Sequence, residues 1–265
     1  MASAKTRDGV NLDYELVGDG NSNKRVALVH SLAMDKEFWR PVAELLASSG
    51  ICSLIYDCRG HGKSGKPPGP YTAEQFGDDL ADLLDGAGWD KAFVAGASMG
   101  GVVSIAFGQA YPQRAQGLGL FDTTAWYGET APKDWAGRAE TAKKEGLEGL
   151  IAFQKTRWFS DAFREDNAAV VDTCIDVFTR NDVPAYAASC NMLGCADLRA
   201  GLSAMKMPVR IAVGEEDYAT PVAMSEALHA ALPGSSMNVI KNGRHLTPLE
   251  VPPVIAGELK ALMAA

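Results

Sequence analysis

The sequence predicts an α/β fold in which a mostly parallel sheet carries helices on both faces. Short apolar, β-branched runs are typical of buried strands, and six occur: RVALVH (25–30), ICSLIYD (51–57), KAFVAG (91–96), AQGLGLFD (115–122), VRIAVG (209–214) and SMNVIK (236–241). Amphipathic segments separate most of these runs, and strands alternating with helices form parallel sheets. A helical stretch without strands, residues 126–200, indicates an insertion into that fold.

The elements follow this pattern in order. VNLDYELVG (10–18) alternates apolar and polar residues, which predicts an antiparallel edge strand or hairpin. The predicted helices are 36–49, 73–87, 99–111, 222–232 and 253–264. Thr72 and Gln75 predict a capping box for the second helix, because they directly follow the helix-breaking KPPGPY.

The predicted domain division places residues 1–125 and 201–265 in the core domain and residues 126–200 in a helical cap. Three of the five tryptophans lie in this insertion, and we expect it to cover the ends of the strands. The alternative is an extra helical layer with no role in binding.

Composition narrows the classes of function. Apolar residues make up 47% and charged residues 22% of the 265 positions, as in soluble globular proteins. A net charge of -8 argues against nucleic acid or membrane partners, and no segment has the length of a membrane span. The N-terminus lacks the apolar core of a signal peptide, and the odd number of cysteines favours reduced thiols, so we expect a cytoplasmic protein. Cys190 and Cys195 are interpreted as packing residues.

Residues 96–100, GASMG, match the G-x-S-x-G pattern of a nucleophile elbow. In this pattern a serine stands on a sharp turn between a strand and a helix, so its neighbours two positions away must be small. An apolar run precedes the motif and the helical GGVVSIAFGQAY follows it. We therefore expect the Ser98 hydroxyl to point out of the sheet at the positive end of the next helix, with Gly101 allowing that helix to pack closely.

A serine nucleophile needs a base to take its proton and an acid to hold that base. His245, in KNGRHLTPLEVPP, follows the last predicted strand and is the predicted base. His30 and His61 lie in tight loops and are interpreted as structural, and His229 as a surface or core residue within a helix.

Asp217, in VGEEDYATP, is the predicted acid, because it follows a strand and precedes a helix. Serine, acid and histidine then occur in a chain order known for such triads. Two alternatives remain open. Glu215 or Glu216 shares the same loop, and Asp122 ends the preceding strand, GLGLFD.

An oxyanion hole requires two backbone N–H groups directed at the developing negative charge. The first predicted donor is Met99, directly after the nucleophile. The second is Leu32 in HSLAMD, the loop after the strand RVALVH.

Together these motifs resemble the α/β-hydrolase superfamily and, more narrowly, the 3-oxoadipate enol-lactonases of aromatic catabolism. LVHSLAMDKEFWRPV looks like that family's oxyanion loop and first helix, and YDCRGHGKSGKPPGPYTAEQFGDDLADLLD with GASMGG is similar to its most recognisable block. RWFSDAFR and YAASCNMLGCADLR are similar to its cap, and VGEEDYATP and HLTPLEVP to its acid and histidine loops. The resemblance places the catalytic residues on Ser98, Asp217 and His245, with Leu32 and Met99 as oxyanion donors.

Two positions depart from that family's pattern. Ala33 and Met34 stand in place of the more usual Gly-Thr, which narrows the space near the oxyanion loop. Asp122 stands in place of an uncharged residue such as Asn and adds a carboxylate near the site.

The resemblance implies a hydrolase fold and cleavage of a small lactone or carboxylic ester, most narrowly 3-oxoadipate enol-lactone to 3-oxoadipate, without a metal or cofactor. Because the protein is acidic, an anionic substrate needs local cations to bind. Candidate cations in the insertion are Lys133, Arg138, Arg157 and Arg164, with Trp135 and Trp158 as apolar walls.

Other functions share the same triad and remain alternatives. They are C–C bond hydrolases, cofactor-free perhydrolases, other carboxylesterases and lactonases, and a small-molecule receptor with slow turnover. Haloalkane dehalogenases and epoxide hydrolases are excluded, because they place an aspartate where this chain has Ser98.

Overall fold

The computed structural model describes residues 2–265 of the chain. Within these residues, eight strands form one sheet. In chain order the strands are Ala2–Lys5 (β1), Asn11–Val17 (β2), Arg25–Val29 (β3), Cys52–Tyr56 (β4), Ala92–Ala97 (β5), Ala115–Phe121 (β6), Val209–Gly214 (β7) and Ser236–Ile240 (β8). Their order across the sheet is β1-β2-β4-β3-β5-β6-β7-β8. Each of the six apolar runs forms a strand, so the predicted α/β class is confirmed.

One strand of the sheet, β2, runs opposite to the other seven. β1 pairs with β2 and β2 with β4 in antiparallel fashion, and from β4 onward all neighbouring pairs are parallel. The alternating segment 10–18 is therefore the second strand of a hairpin, and β1 is the edge of the sheet. β1 has no signal in the sequence, because its four residues, ASAK, carry little β-propensity.

The chain reverses its path across the sheet at β3, with β4 on one side of this strand and β5 on the other. In open α/β sheets, ligands bind at such a switch point, outside the carboxyl ends of the strands. The loops after β3 and β5 contain Leu32 and Ser98 respectively. Topology alone therefore brings these two positions to one crevice.

Helices cover the sheet and form the insertion. In chain order they are Arg40–Ala47 (α1), Ala73–Gly86 (α2), Met99–Ala110 (α3), Ala131–Glu145 (α4), Ile151–Trp158 (α5), Asp161–Asp166 (α6), Ala168–Thr179 (α7), Val183–Cys195 (α8), Val222–Ala231 (α9), Thr247–Glu250 (α10) and Pro252–Leu262 (α11). α2 packs on α3 and α1 packs on α11, and both pairs contact the sheet. The parallel strands between them are buried along nearly their full length.

Helices α4 to α8 lie between β6 and β7 in the chain, where the cap is predicted, and α4 packs on α8. The two ends of this segment are joined. The Leu198 N–H donates to the Ala125 carbonyl at 2.9 Å, and Trp126 pairs with Asp197 in an isolated antiparallel bridge. The Arg199 guanidinium stacks 3.7 Å from the centre of the Trp126 ring. The two ends of the segment 126–200 therefore meet at one point.

Three local predictions need correction. Residues 36–49 begin as a 3₁₀ helix, Lys36–Trp39, before α1. Thr72 does cap α2 by accepting from the Gln75 N–H at 3.1 Å, but the Gln75 side chain donates to Asp8 instead of completing the capping box. Cys195 is exposed, so its interpretation as a packing residue is wrong, because the end of α8 faces solvent there.

Candidate active site

Ser98 stands on the turn between β5 and α3, with φ 54° and ψ −116°. A non-glycine residue rarely adopts a positive φ, and such strain persists only where the surroundings hold it. The Ser98 N–H is fixed by a 2.9 Å hydrogen bond to the Phe121 carbonyl of the neighbouring strand. The turn directs the hydroxyl into a small cavity, about 20 Å³ in volume, rather than into the core.

The glycines of the motif are required by close backbone contacts. A Cβ on Gly96 would lie 2.0 Å from the Gly100 carbonyl oxygen. A Cβ on Gly100 would lie 2.0 Å from the Val29 carbonyl oxygen in β3. Neither position has room for a methyl group, so the strand and the helix can meet at this angle only with glycine on both sides of the serine.

Three side chains from distant parts of the sequence form one hydrogen-bonded chain. His245 Nε2 lies 3.0 Å from Ser98 Oγ, and His245 Nδ1 lies 2.8 Å from Asp217 Oδ2. All three residues are buried. An imidazole between a hydroxyl and a carboxylate can take a proton from the hydroxyl while the carboxylate stabilises the resulting charge.

Asp217 is held in place by the start of the next loop. Its Oδ1 accepts from the N–H groups of Ala219 and Thr220 at 2.7 and 2.9 Å, and the Thr220 hydroxyl donates to Oδ2 at 2.8 Å. The two glutamates of the same loop are engaged elsewhere. Glu216 pairs with Arg244 at 2.8 Å, and Glu215 accepts from the Asn242 N–H at 3.2 Å. Neither glutamate contacts the histidine.

Asp122 lies behind the three residues and does not contact His245. Its Oδ1 accepts from the Gly214 N–H at 3.1 Å, and its Oδ2 accepts from both the N–H and the hydroxyl of Thr247, at 3.1 and 2.6 Å. Burial, together with the nearby Asp217 charge, raises the pKa of Asp122 well above its ordinary value. Asp122 therefore connects the loop that carries the acid to the loop that carries the histidine.

The two predicted oxyanion donors lie beside Ser98. Met99 is the first residue of α3, where an N–H has no partner within the helix. Leu32 lies in a tight turn closed by a 3.1 Å hydrogen bond from the Met34 N–H to the Ser31 carbonyl. Leu32, Ser98 and His245 line the same small cavity.

The remaining histidines make structural contacts. His30 Nε2 accepts from the Cys58 N–H at 3.0 Å, and its Nδ1 lies 2.8 Å from the Ser31 carbonyl. His61 Nδ1 lies 2.9 Å from the Arg59 carbonyl, and exposed His229 lies 2.7 Å from the Ser235 hydroxyl.

Arg138 and Arg157 from the insertion line the cavity that contains Ser98. They also line an adjoining cavity of about 530 Å³ with Trp135 and Tyr127. Arg138 donates to the Tyr186 hydroxyl at 2.6 Å, and Arg157 donates to a backbone carbonyl at 3.2 Å. Burial, and then the positive charge of Arg138, lower the pKa of Arg157. Within residues 2–265, neither guanidinium forms a salt bridge with a carboxylate.

The other candidate cations lie elsewhere. Arg164 pairs with Asp161 at 2.6 Å on a different surface, and Lys133 is exposed on α4 without lining either cavity.

The two candidate tryptophans flank the arginines. The Trp135 ring centre lies 4.9 Å from the Arg138 guanidinium carbon. Trp158 is buried over the histidine loop, where its carbonyl accepts from the N–H groups of His245 and Leu246 at 3.1 and 3.0 Å. The insertion is therefore bonded directly to the loop that carries His245.

Sequence reasoning missed two polar residues at this site. Gln154 lines the cavity beside Ser98 and is only 3% exposed. The Tyr127 hydroxyl is buried without a hydrogen-bond partner among the described residues, and Ser98 is close enough to influence its pKa, which burial raises. A signal for Gln154 is its spacing: Gln154, Arg157 and Trp158 share one face of α5, at positions i, i+3 and i+4.

Comparison with known proteins identifies the family of this chain. Residues 20–252 match the model of a family described as Hydrolase_4, serine aminopeptidase S33. The chain belongs to this α/β-hydrolase family. Membership confirms the resemblance drawn from the motifs and makes the protein a hydrolase.

Individual members of the α/β-hydrolases are similar over nearly the whole chain. 3-Oxoadipate enol-lactonase 2 of Acinetobacter baylyi is 29% identical over 260 residues, which cover 97% of this chain and 95% of that protein. The crystal structure of the enol-lactonase from Burkholderia xenovorans has a TM-score of 0.94 at 29% identity, with both chains fully covered. A thermophilic esterase from Thermogutta terrifontis has a TM-score of 0.92 at 27% identity, covering 99% of this chain and 97% of that one.

None of the helices in residues 2–265 combines the length and apolar character needed to cross a bilayer.

Proposed function

We propose that this α/β-hydrolase cleaves a small lactone or carboxylic ester by a Ser-His-Asp mechanism. The observation that carries the proposal is the hydrogen-bonded chain from Ser98 Oγ through His245 to Asp217, at 3.0 and 2.8 Å. The strained turn that exposes the serine hydroxyl is the feature expected of a nucleophile.

Acylation begins when His245 Nε2 takes the Ser98 proton and the serine oxygen attacks the substrate carbonyl carbon. The carbonyl oxygen becomes an oxyanion held by the N–H groups of Leu32 and Met99. When the intermediate collapses, the bond from the carbonyl carbon to the leaving oxygen breaks, and the imidazolium returns its proton to that oxygen. Asp217 stabilises the imidazolium throughout.

Deacylation repeats these steps with water. His245 takes a proton from the water, the hydroxyl oxygen attacks the acyl-enzyme carbonyl, and Ser98 leaves with the proton that His245 returns. The product is the free acid. Every proton and electron pair in this cycle is handled by residues of the chain and by water, so the proposed mechanism requires no metal or cofactor.

Within the proposed class, the favoured substrate is 3-oxoadipate enol-lactone, whose product is 3-oxoadipate. The enol-lactonase relatives support this choice. The second support is the pair of guanidinium groups, Arg138 and Arg157, without a carboxylate partner at the site. They would bind the free carboxylate of such a lactone, with Trp135 and Trp158 packing beside it. Asp134 also lines the larger cavity, but it already accepts a 2.7 Å hydrogen bond from the Thr130 hydroxyl.

The test is a panel of esters and lactones, including an unsaturated lactone that carries a carboxylate, followed by acid release. We expect Ser98→Ala to reduce kcat by about 10⁶-fold, as in comparable triads. A comparable rate in Ser98→Ala would show that another group performs the attack. Repeated turnover distinguishes the enzyme from a small-molecule receptor, which would bind the lactone without releasing product many times.

A further inference from the structure

The Gln154 side chain lines the cavity beside Ser98 and has no hydrogen-bond partner among residues 2–265. The residue is 3% exposed and lines the cavity together with Ser98 and His245. Within residues 2–265, its carboxamide makes no hydrogen bond to the protein. The amide contains two donor hydrogens and one acceptor oxygen. This hydrogen-bonding capacity is therefore not used within the protein and is available to a molecule in the cavity.

The amide is open to the cavity, because among the described residues neither of its polar atoms is a fully buried side-chain atom without a partner. A polar group in that position can hydrogen-bond to water or to a bound ligand. An apolar residue of similar length at position 154 would fill the same space without this capacity. The solubility of α5 does not require an amide at position 154. The exposed face of this helix is formed by other residues, such as Thr156.

A second polar side chain, that of Ser31, also lines the cavity without a hydrogen bond to the described part of the protein. Ser31, at the start of the oxyanion turn, is 4% exposed, and its hydroxyl makes no hydrogen bond within the described residues. The wall of the cavity therefore combines two neutral polar groups, Gln154 and Ser31, with the cations Arg138 and Arg157. An alkyl chain would leave both neutral groups unpaired.

We propose that Gln154 is a specificity-determining residue that binds an oxygen of the substrate other than the scissile carbonyl and the carboxylate. The substrate class is then short oxo- or alkoxy-substituted acyl groups, as opposed to plain alkyl esters. This inference rests on the proposed function, since it assumes that Ser98 is the nucleophile.

The test uses p-nitrophenyl esters of four acids with chains of five atoms. Pentanoate has no further oxygen, whereas 4-oxopentanoate, 3-methoxypropanoate and ethoxyacetate each have one, at different positions. For each ester, kcat/KM is measured for the wild type and for Gln154→Met, which has similar length without hydrogen-bonding groups. Taking the ratio of wild type to variant cancels the intrinsic reactivity of each ester. We expect a ratio of about 10 or more for at least one oxygenated ester and about 1 for pentanoate, the loss expected for one hydrogen bond to a buried amide.

Controls separate this inference from the function on which it rests. Thr156→Val, on the exposed face of the same helix, should leave the ratio of wild-type to variant kcat/KM near 1 for all four esters. If Gln154→Met does not fold, Gln154→Leu takes its place. Ser98-dependent hydrolysis with one common ratio for the four esters would overturn the role of Gln154 alone. Hydrolysis that survives Ser98→Ala would instead overturn the proposed function.

Discussion

At the scale of single residues, backbone strain is concentrated around the proposed site. Within residues 2–265, the non-glycine residues with positive φ are Ala33, Ser98, Asp122 and Asn242. Each lies just after the carboxyl end of a strand: β3, β5, β6 and β8. Such a conformation costs an L-residue about 1–2 kcal/mol. The strands and their hydrogen bonds supply the stability that keeps these four residues in place.

The arginine pair leads to a prediction at this scale. Charge reversal by Arg138→Glu or Arg157→Glu should raise the KM for a lactone that carries a carboxylate. The increase should be about tenfold or more larger than the increase for the methyl ester of the same lactone. The reason is that a charged hydrogen-bond partner of the carboxylate is replaced by a group of like charge. Steady-state kinetics on this substrate pair measures the effect. Lys144→Glu, an exposed reversal on α4, is the matched control. Equal changes in KM for the two substrates would remove the arginines from carboxylate binding.

At the scale of elements, the insertion supports the oxyanion loop directly. Asn181, which follows α7, donates through Nδ2 to the Ala33 carbonyl at 2.8 Å. The same amide donates to the Val177 carbonyl at 2.9 Å and thus also caps α7. Ala33 adopts φ 59° in the turn that presents the Leu32 N–H. A residue of the segment 126–200 is therefore hydrogen-bonded to a strained turn that follows β3.

Asn181→Ala should lower kcat with little change in KM. Once the Ala33 carbonyl loses its partner, the Leu32 N–H is less well placed for the oxyanion, and we expect about a tenfold loss, less than removal of a donor outright. The measurement is a full kinetic comparison on one ester. Arg180→Ala, at the exposed neighbouring position, should have no such effect. A variant with wild-type kcat would show that the turn keeps its shape alone.

At the scale of the whole molecule, two buried histidines link folding to pH. Burial, and then the neighbouring His30, lower the pKa of His61 from 6.5 to about 3. Burial also lowers the pKa of His30. As the pH falls below 6.5, the unfolded chain therefore takes up protons that the folded chain does not. The stabilisation is fully present above pH 6.5 and is lost progressively toward pH 3.

His61→Asn should make stability less sensitive to acid. When the pH falls from 7 to 5, His61 alone lowers the free energy of unfolding of the wild type by about 2 kcal/mol. The variant has no titrating group at this position, so its free energy of unfolding should fall by about 2 kcal/mol less. Urea unfolding at the two pH values measures the difference. His229→Asn, at an exposed position, is the control and should leave the pH dependence as in the wild type. An unchanged slope in His61→Asn would show that His61 does not cause the loss.

Most of the sheet, and the choice of Ser98 and His245 as candidate site residues, can be predicted from the sequence for a physical reason. Buried parallel strands are continuous apolar runs, and the elbow turn demands glycines at fixed spacing, so both appear in local sequence. The choice between Asp217 and Asp122 had no local signal. It depends on which carboxylate faces the imidazole, and both follow strand ends in the same sheet. Gln154 was hidden for a similar reason, because a polar residue on a short helix usually faces water.

The joined ends of the insertion have an evolutionary consequence. Because residues 125 and 198 are hydrogen-bonded to each other, the segment between them can be lengthened, shortened or exchanged without moving β6 or β7. Changes in this one segment can therefore alter the lining of the cavity beside Ser98, as long as Trp158 still accepts from the His245 loop and Asn181 still donates to the Ala33 carbonyl. A chimera that receives the segment from an esterase relative should fold on the existing scaffold and take on the donor's preferences.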